Sequence, residues 1–260
     1  MASAQHVIAQ LPMVERSIAA GERRPRWWMR FDDVELGPPV PDPEKIIALG
    51  FNYKSHVAEQ KAFFKKPIEA PRAPVIFAKY ASALAGPRDP IVLPPPGVTT
   101  QVDYECEVVA VIGKITRNVS EADALKYVAG YTVMNDVSAR DCQFSDRQFT
   151  RAKSFDTFAP CGPWIVTADE LGGKWPLKLW TDVNGERMQE SDTDDMFFSL
   201  PCIISYLSRG MTLRPGDLIA TGTPAGVGAF RTPQRFLKAG DIVACGVEGI
   251  GVLVNQVVSG

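Results

Sequence analysis

The stretch Val102-Asp103-Tyr104-Glu105-Cys106-Glu107-Val108-Val109-Ala110-Val111-Ile112 decides how this chain is read. Strand side chains alternate faces with period two, so Asp103, Glu105 and Glu107 share one face. Tyr104, Cys106, Val108 and Ala110 share the other. Three acids on a solvent-facing strand would need no partner. The apolar run Val108–Ile112 argues against that, because it carries the strand into a core and leaves the acids at its mouth. Two carboxylates about 4 Å apart repel by roughly 4 kcal/mol at an effective dielectric near 20. Acids so close and half-buried need protons or a cation. An all-oxygen ligand set selects Mg²⁺, Mn²⁺ or Ca²⁺ over zinc.

Outward from this strand, the remaining sequence also reads mostly as strand. Ile46–Leu49 and Pro74–Lys79 are short apolar runs, and Tyr131–Val137 alternates. Leu177–Val183 alternates and ends in Asn184-Gly185, the signature of a type I′ hairpin. Asp217–Val258 holds three β-rich runs separated by glycines. Arg214-Pro215-Gly216-Asp217 and Lys238-Ala239-Gly240-Asp241 resemble each other and are each expected to turn the chain into a strand. Helices are few. Ser120-Glu121-Ala122-Asp123 carries a start signal, and Asp194–Ser208 is predicted helical, with Pro201 kinking or dividing it. No Gly-x-Gly-x-x-Gly or Gly-Lys-Ser/Thr loop is present. The pattern predicts a strand-dominated α+β fold. The Pro-rich run Gly37–Pro43 reads as a linker. Residues 1–44 are therefore expected to form a small appendage packed on a catalytic domain spanning 45–260.

Composition removes several function classes. With 28 Lys+Arg against 30 Asp+Glu the net charge is −2, which argues against nucleic-acid binding; only Glu22–Arg26 is locally basic. No window approaches the ~18 apolar residues of a membrane span, and Met1–Ala20 lacks the apolar centre of a signal peptide. The five cysteines are widely spaced with no Cys-x-x-Cys, against a zinc site or a disulfide scaffold. They read as small buried hydrophobes in a reducing cytoplasm.

Other segments offer chemistry. Asp136, at the end of the Tyr131–Val137 strand, could join Glu105 and Glu107. Arg140 and Gln143 follow at i+4 and i+7, where one helical turn would bring all three to one side. Arg140 and Lys153 beside a metal suggest an anionic substrate. Of the two histidines, His6 lies in a weakly patterned region. His56 could be paired with Glu59 at i,i+3, a carboxylate behind an imidazole as in an oriented general base. Lys61–Pro71 reads as a mobile flap that closes on substrate.

Taken in order, these segments resemble the fumarylacetoacetate hydrolase family, in its short acylpyruvate-hydrolase-like branch. The resemblance rests on Gly50-x-Asn52-Tyr53-x-x-His56-x-x-Glu59, Phe77-x-Lys79, Asp103-Tyr104-Glu105-x-Glu107, Asp136-x-x-Ala139-Arg140-Asp141-x-Gln143, Lys153-Ser154-Phe155-Asp156, Gly162-Pro163-Trp164 and Thr221-Gly222-Thr223-Pro224-x-Gly226-Val227-Gly228. It implies a mixed β-sandwich roll of the fumarylacetoacetase C-terminal-domain type and a homodimer. It implies Mg²⁺ or Mn²⁺ on Glu105, Glu107 and Asp136, with Asp103 outside the ligand set. By the same resemblance His56 and Glu59 activate water and Lys153 lines the substrate site, where its charge would stabilise an enolate product. Arg140, Gln143 and Thr223 line the substrate site, with Lys79 nearby. The implied reaction is hydrolytic C–C cleavage of a 2,4-dioxo acid to pyruvate, or a related 2-oxo acid, and a carboxylic acid. Decarboxylation of oxaloacetate and isomerisation or dehydration of 2-hydroxydienoates are the alternatives at the same site; a non-catalytic metal-binding protein is a further one. Phe51 stands where some acylpyruvate hydrolases have arginine, which points to a smaller or less acidic distal substrate group.

Overall fold

The acidic stretch pairs with the segment Gly130–Ala139 in one antiparallel register, which shifts only beyond Val111. In a computed structural model, which describes residues 16, 18–21, 29 and 33–260, Asp103 faces Ser138 and Cys106 faces Asn135. The pairing is in phase on both sides of Tyr104 and Glu105. Glu105 therefore falls opposite Asp136, whose backbone N–H donates to the Glu105 carbonyl at 2.8 Å. Directly opposed residues of an antiparallel pair project to the same face. That places the third acid.

Around this pair the strands are β1 (Ile46–Gly50), β2 (Val75–Lys79), β3 (Leu84–Ala85), β4 (Ile91–Leu93), β5 (Val102–Asp103), β6 (Cys106–Ile112), β7 (Val128–Asn135), β8 (Ser138–Ala139), β9 (Ala159–Thr167), β10 (Lys178–Val183), β11 (Glu186–Asp192), β12 (Leu218–Ala220), β13 (Ile242–Val247) and β14 (Gly251–Ser259). A seven-stranded mixed sheet runs β2-β1-β12-β6-β7-β9-β3 and a five-stranded one β11-β10-β13-β14-β4; β5 and β8 form a separate pair. The fold is strand-dominated α+β, as the sequence pattern predicts.

Period two explains the two cores. On β1, Ile47 and Leu49 enter the core shared by both sheets, whereas Ile46 and Ala48 pack on the opposite face. On β6, Val108, Ala110 and Ile112 take the shared core and Val109 and Val111 the other. Every residue of β6 is buried. A strand covered on both faces reads as a continuous apolar run, which is why Val108–Ile112 lacks polar alternation.

The helices are short: α1 (Lys54–Phe64), α2 (Glu121–Ala124), α3 (Arg140–Asp146), α4 (Phe149–Ala152), α5 (Ala168–Leu171) and α6 (Leu200–Gly210). Three expectations need correction. Pro201 neither kinks nor divides a helix from Asp194; it sits in the first turn of α6, where its missing N–H costs nothing, and Ser199 caps that turn. Residues 61–64 of the expected flap are the last turn of α1. Asp136 is not on a helix with Arg140, since β8 intervenes and α3 starts at Arg140.

The turn signals hold. Asn184 and Gly185 take φ of 53° and 80°, joining β10 to β11. Asp217 and Asp241 each accept the backbone N–H three residues back, from Arg214 at 2.7 Å and Lys238 at 2.9 Å. Each closes a turn whose glycine has a φ above 90°. The chain divides into two compact units, Met1–Glu35 and Leu36–Gly260, so the Pro-rich run belongs to the second. His6 and the basic run Glu22–Arg26 lie outside the described residues, as does most of the expected appendage. Among the described residues no helix is long and apolar enough to cross a membrane. All five cysteines are free thiols, four buried and Cys202 half-buried.

Candidate active site

Glu105, Glu107 and Asp136 each bring a carboxylate oxygen within 4.8 Å of the others, and all three residues are buried. Their partners differ. Lys153 Nζ donates to Glu105 Oε2 and Asp136 Oδ2, both at 2.8 Å, and to Ser138 Oγ at 2.7 Å. Lys79 Nζ donates to Asp136 Oδ1 at 2.6 Å and to the Lys153 carbonyl. Arg140 donates through Nε to Asp103 Oδ2 at 2.9 Å, and its Nη2 lies 2.7 Å from Glu105 Oε1. Among the described residues no cation pairs with Glu107 within 4.0 Å. Its Oε2 accepts the Gly222 N–H at 2.8 Å, and its Oε1 is buried with no hydrogen-bond partner.

The electrostatics follow. Burial pushes Glu105 up, but Lys153 and Arg140 outweigh it and hold the carboxyl down at about 2. Burial, and then the charges of Asp136 and Glu105, hold Glu107 well above the ordinary carboxylate range. Burial works against the charge on Lys153, yet Asp136 and Glu105 keep its ammonium above the usual lysine value. A buried orphan oxygen inside an all-carboxylate cluster fits a hard divalent cation, which would relieve the repulsion that raises Glu107. Asp103 is outside the cluster. It accepts from Arg140 and from the N–H groups of Tyr104, Gly228 and Ala229.

His56 and Glu59 lie on α1. Nδ1 of His56 is 2.7 Å from Glu59 Oε1, and Glu59 Oε2 accepts the Gly226 N–H at 2.8 Å. The loop Thr221–Phe230 thus anchors three carboxylates through its backbone: Glu107, Glu59 and Asp103. Thr223 Oγ1 donates to the Cys106 carbonyl at 2.9 Å and accepts from Gln189 at 2.8 Å.

His56, Glu105, Arg140, Gln143, Lys153 and Thr223 all line one cavity of about 420 Å³, with Phe51 among the apolar residues of its wall. Of the remaining expected site residues, Glu59 stands behind His56, while Glu107, Asp136 and Lys79 form the layer beneath. Arg140 is committed to Asp103, Glu105 and Gln143, so it buttresses the site as much as it faces it. Sequence reading missed the anchoring by Asp103, Ser138, Gln189 and Gly226. Of these, Asp103 had a visible signal: it shares the alternating face with the two glutamates.

Residues 45–258 match the family described as Fumarylacetoacetate (FAA) hydrolase C-terminal. The chain belongs to the fumarylacetoacetate hydrolase family. Within that family it is 46% identical over 228 residues to a protein of Bos taurus named oxaloacetate tautomerase FAHD2B, mitochondrial, covering 87% of this chain and 70% of the relative. Among solved structures, 5-carboxymethyl-2-hydroxymuconate delta-isomerase from Mycobacterium smegmatis superposes with a TM-score of 0.76 at 41% identity, over 89% of this chain and 85% of that one. Fumarylacetoacetate hydrolase from Exiguobacterium antarcticum superposes at 0.79 with 41% identity, over 89% and 80%. The family's strand-dominated fold is the one described above.

Proposed function

We propose that the chain is a divalent-metal-dependent enzyme that moves a proton at the carbon beside the 2-oxo group of a 2-oxo acid, interconverting its keto and enol forms. One observation carries the reading. A histidine oriented by a carboxylate, a lysine held among carboxylates, and an acidic triad with one orphan oxygen converge on a single cavity.

Charge balance supports it. Four buried carboxylates, Asp103, Glu105, Glu107 and Asp136, meet three buried cations, Lys79, Arg140 and Lys153. A dication and the substrate's own carboxylate would bring the cluster to neutrality, which a low-dielectric site demands. Mg²⁺ or Mn²⁺ on Glu105, Glu107 and Asp136 would polarise the 2-oxo group and offset negative charge as it develops. His56 Nε2, basic because Nδ1 serves Glu59, takes the proton from carbon and returns it. Lys153 keeps a positive charge beside that developing negative charge. Arg140, Gln143 and Thr223 orient the acid from the wall. Lys79 holds the outer oxygen of Asp136.

Hydrolytic C–C cleavage of a 2,4-dioxo acid is the second reading. The same dyad favours it, since His56 could instead deprotonate a water for attack on the distal carbonyl. The name of the Exiguobacterium neighbour also supports it. Sequence reading put hydrolysis first; the relative named for tautomerisation supports proton transfer. The small 2-oxo acid as partner, a homodimer and a reducing compartment such as the cytoplasm belong to the same proposal. The free thiols support the compartment, and light scattering would test the dimer.

The test follows the enol absorbance of oxaloacetate and acetylpyruvate with Mg²⁺ or Mn²⁺ and with EDTA, together with product analysis. Metal-dependent loss of the enol band at constant total 2-oxo acid is the expected result. Pyruvate with a carboxylic acid would move hydrolysis to first place, and pyruvate with CO₂ would move decarboxylation there. No metal-dependent change with either substrate would leave a non-catalytic metal-binding protein.

A further inference from the structure

Two rows of aromatic rings lead outward from the catalytic groups along the lining of the cavity. One starts at His56, whose ring centroid is 5.8 Å from that of Phe230; Phe64 is 5.6 Å from Phe230, and Phe144 is 6.0 Å from Phe64. The other starts at Lys153, whose Nζ is 5.1 Å from the centroid of Phe77; Phe149 is 5.5 Å from Phe77, and Phe51 is 6.2 Å from Phe149. All six phenylalanines line the same cavity. They come from separate elements: α1, α3, α4, β2, the turn after β1 and the loop ending at Phe230.

Two features mark these rings as more than packing. Phe64 and Phe144 are 39% and 49% exposed. Apolar surface left open at the mouth of a cavity indicates something that covers it. Phe51 holds a φ of 57°, a left-handed conformation that a bulky side chain rarely adopts and that clusters at functional sites. The polar groups deeper in the lining are already engaged: Arg140 by Asp103 and Glu105, Lys153 by Glu105 and Asp136. Arg147 is the one cation of the lining with no carboxylate partner among the described residues, and it is exposed.

We infer that this cavity selects a 2-oxo acid whose substituent beyond C4 is apolar and ring-sized, with Phe51, Phe64 and Phe144 as the specificity-determining residues. The inference rests on the proposed function, because it assigns the acid head to the triad end of the cavity. A tail that continues from that head runs between groups that accept apolar surface and offer a carboxylate no buried partner. A second carboxylate there would lose water without compensation. A phenyl tail covers rings that a methyl tail leaves wet. The area difference is worth roughly 10- to 100-fold in kcat/KM.

The experiment uses the metal-loaded full chain and probes that differ in the tail: acetylpyruvate, benzoylpyruvate, succinylpyruvate and oxaloacetate. We expect the kcat/KM of benzoylpyruvate to exceed that of each other probe by about 10-fold or more. Phe144→Ser and Phe51→Arg should each lower benzoylpyruvate more than acetylpyruvate, and Phe51→Arg should raise succinylpyruvate relative to both. Equal efficiencies would overturn the inference while leaving the proposed function intact. So would a preference for succinylpyruvate or oxaloacetate that Arg147→Gln removes. If no probe turns over, the proposed function fails, and calorimetric binding still decides the tail: tighter binding of benzoylpyruvate than of acetylpyruvate supports the apolar slot, and equal or weaker binding overturns it.

Discussion

Glu59 Oε1 stands 2.7 Å from His56 Nδ1, one turn along the same helix. An ionised carboxylate only accepts, so this contact puts the hydrogen on Nδ1 and leaves Nε2 as the basic nitrogen. His56→Ala should therefore cut kcat by about 10²–10⁴-fold and leave Mn²⁺ affinity unchanged. Glu59→Gln should lower kcat, because an amide can turn its NH2 toward the ring and no longer fixes the hydrogen on Nδ1. Steady-state kinetics beside metal titration check both. Full turnover in His56→Ala would remove the residue from the reaction.

The other oxygen of Glu59 is held by the Gly226 N–H, and Gly226 is fixed by space as well as by conformation. Its φ is +106°, and an added Cβ would stand 2.1 Å from the Met188 carbonyl oxygen. Gly226→Ala should cost about 1–3 kcal/mol of stability and lower kcat in the same direction as Glu59→Gln. Denaturant melts and kinetics on one preparation test this. An active variant of native stability would show that the loop does not anchor the base.

Glu107 predicts an unusual pH dependence. Its folded value is raised by burial, then by Asp136 and Glu105, so from about pH 4.5 upward the folded metal-free protein holds a proton that the unfolded chain releases. Stability of the metal-free protein should thus fall as pH rises through that window, and Glu107→Gln should remove this part of the slope. Thermal melts in EDTA between about pH 5 and pH 8 should show wild type losing stability relative to the variant. Parallel curves would contradict the assignment. Because metal binding must displace that proton, stabilisation by Mn²⁺ should grow with pH.

How much of this was legible in the sequence depends on range. The alternation of Asp103, Glu105 and Glu107 survives the break between β5 and β6 because the pairing with β7 and β8 keeps one register. The Asn184-Gly185 hairpin and the two Gly-Asp turns are local devices, and they were readable as such. Helix α1 was legible only as one turn, since Lys54–Phe64 has no clear apolar stripe; it is tied to the fold from afar, with Asn52 bonded to Phe198 and Ser55 to Asp195. Strand β1 pairs with β12 across more than 160 residues, and no local pattern reports that. The six phenylalanines of the cavity are scattered over six elements, so only the fold assembles them. Nothing local in the sequence around Lys153 reports its burial. The fold buries its ammonium among three acceptors, on Glu105, Asp136 and Ser138.

The central claim is that Glu105, Glu107 and Asp136 hold one hard dication. Isothermal titration of the metal-free chain with Mn²⁺ tests it most directly, on wild type and on Glu105→Gln, Glu107→Gln and Asp136→Asn, each first shown to unfold cooperatively. The account predicts one ion per wild-type chain and no measurable uptake in any variant. A wild-type chain that binds no ion, or variants that bind it as tightly as wild type, would contradict it.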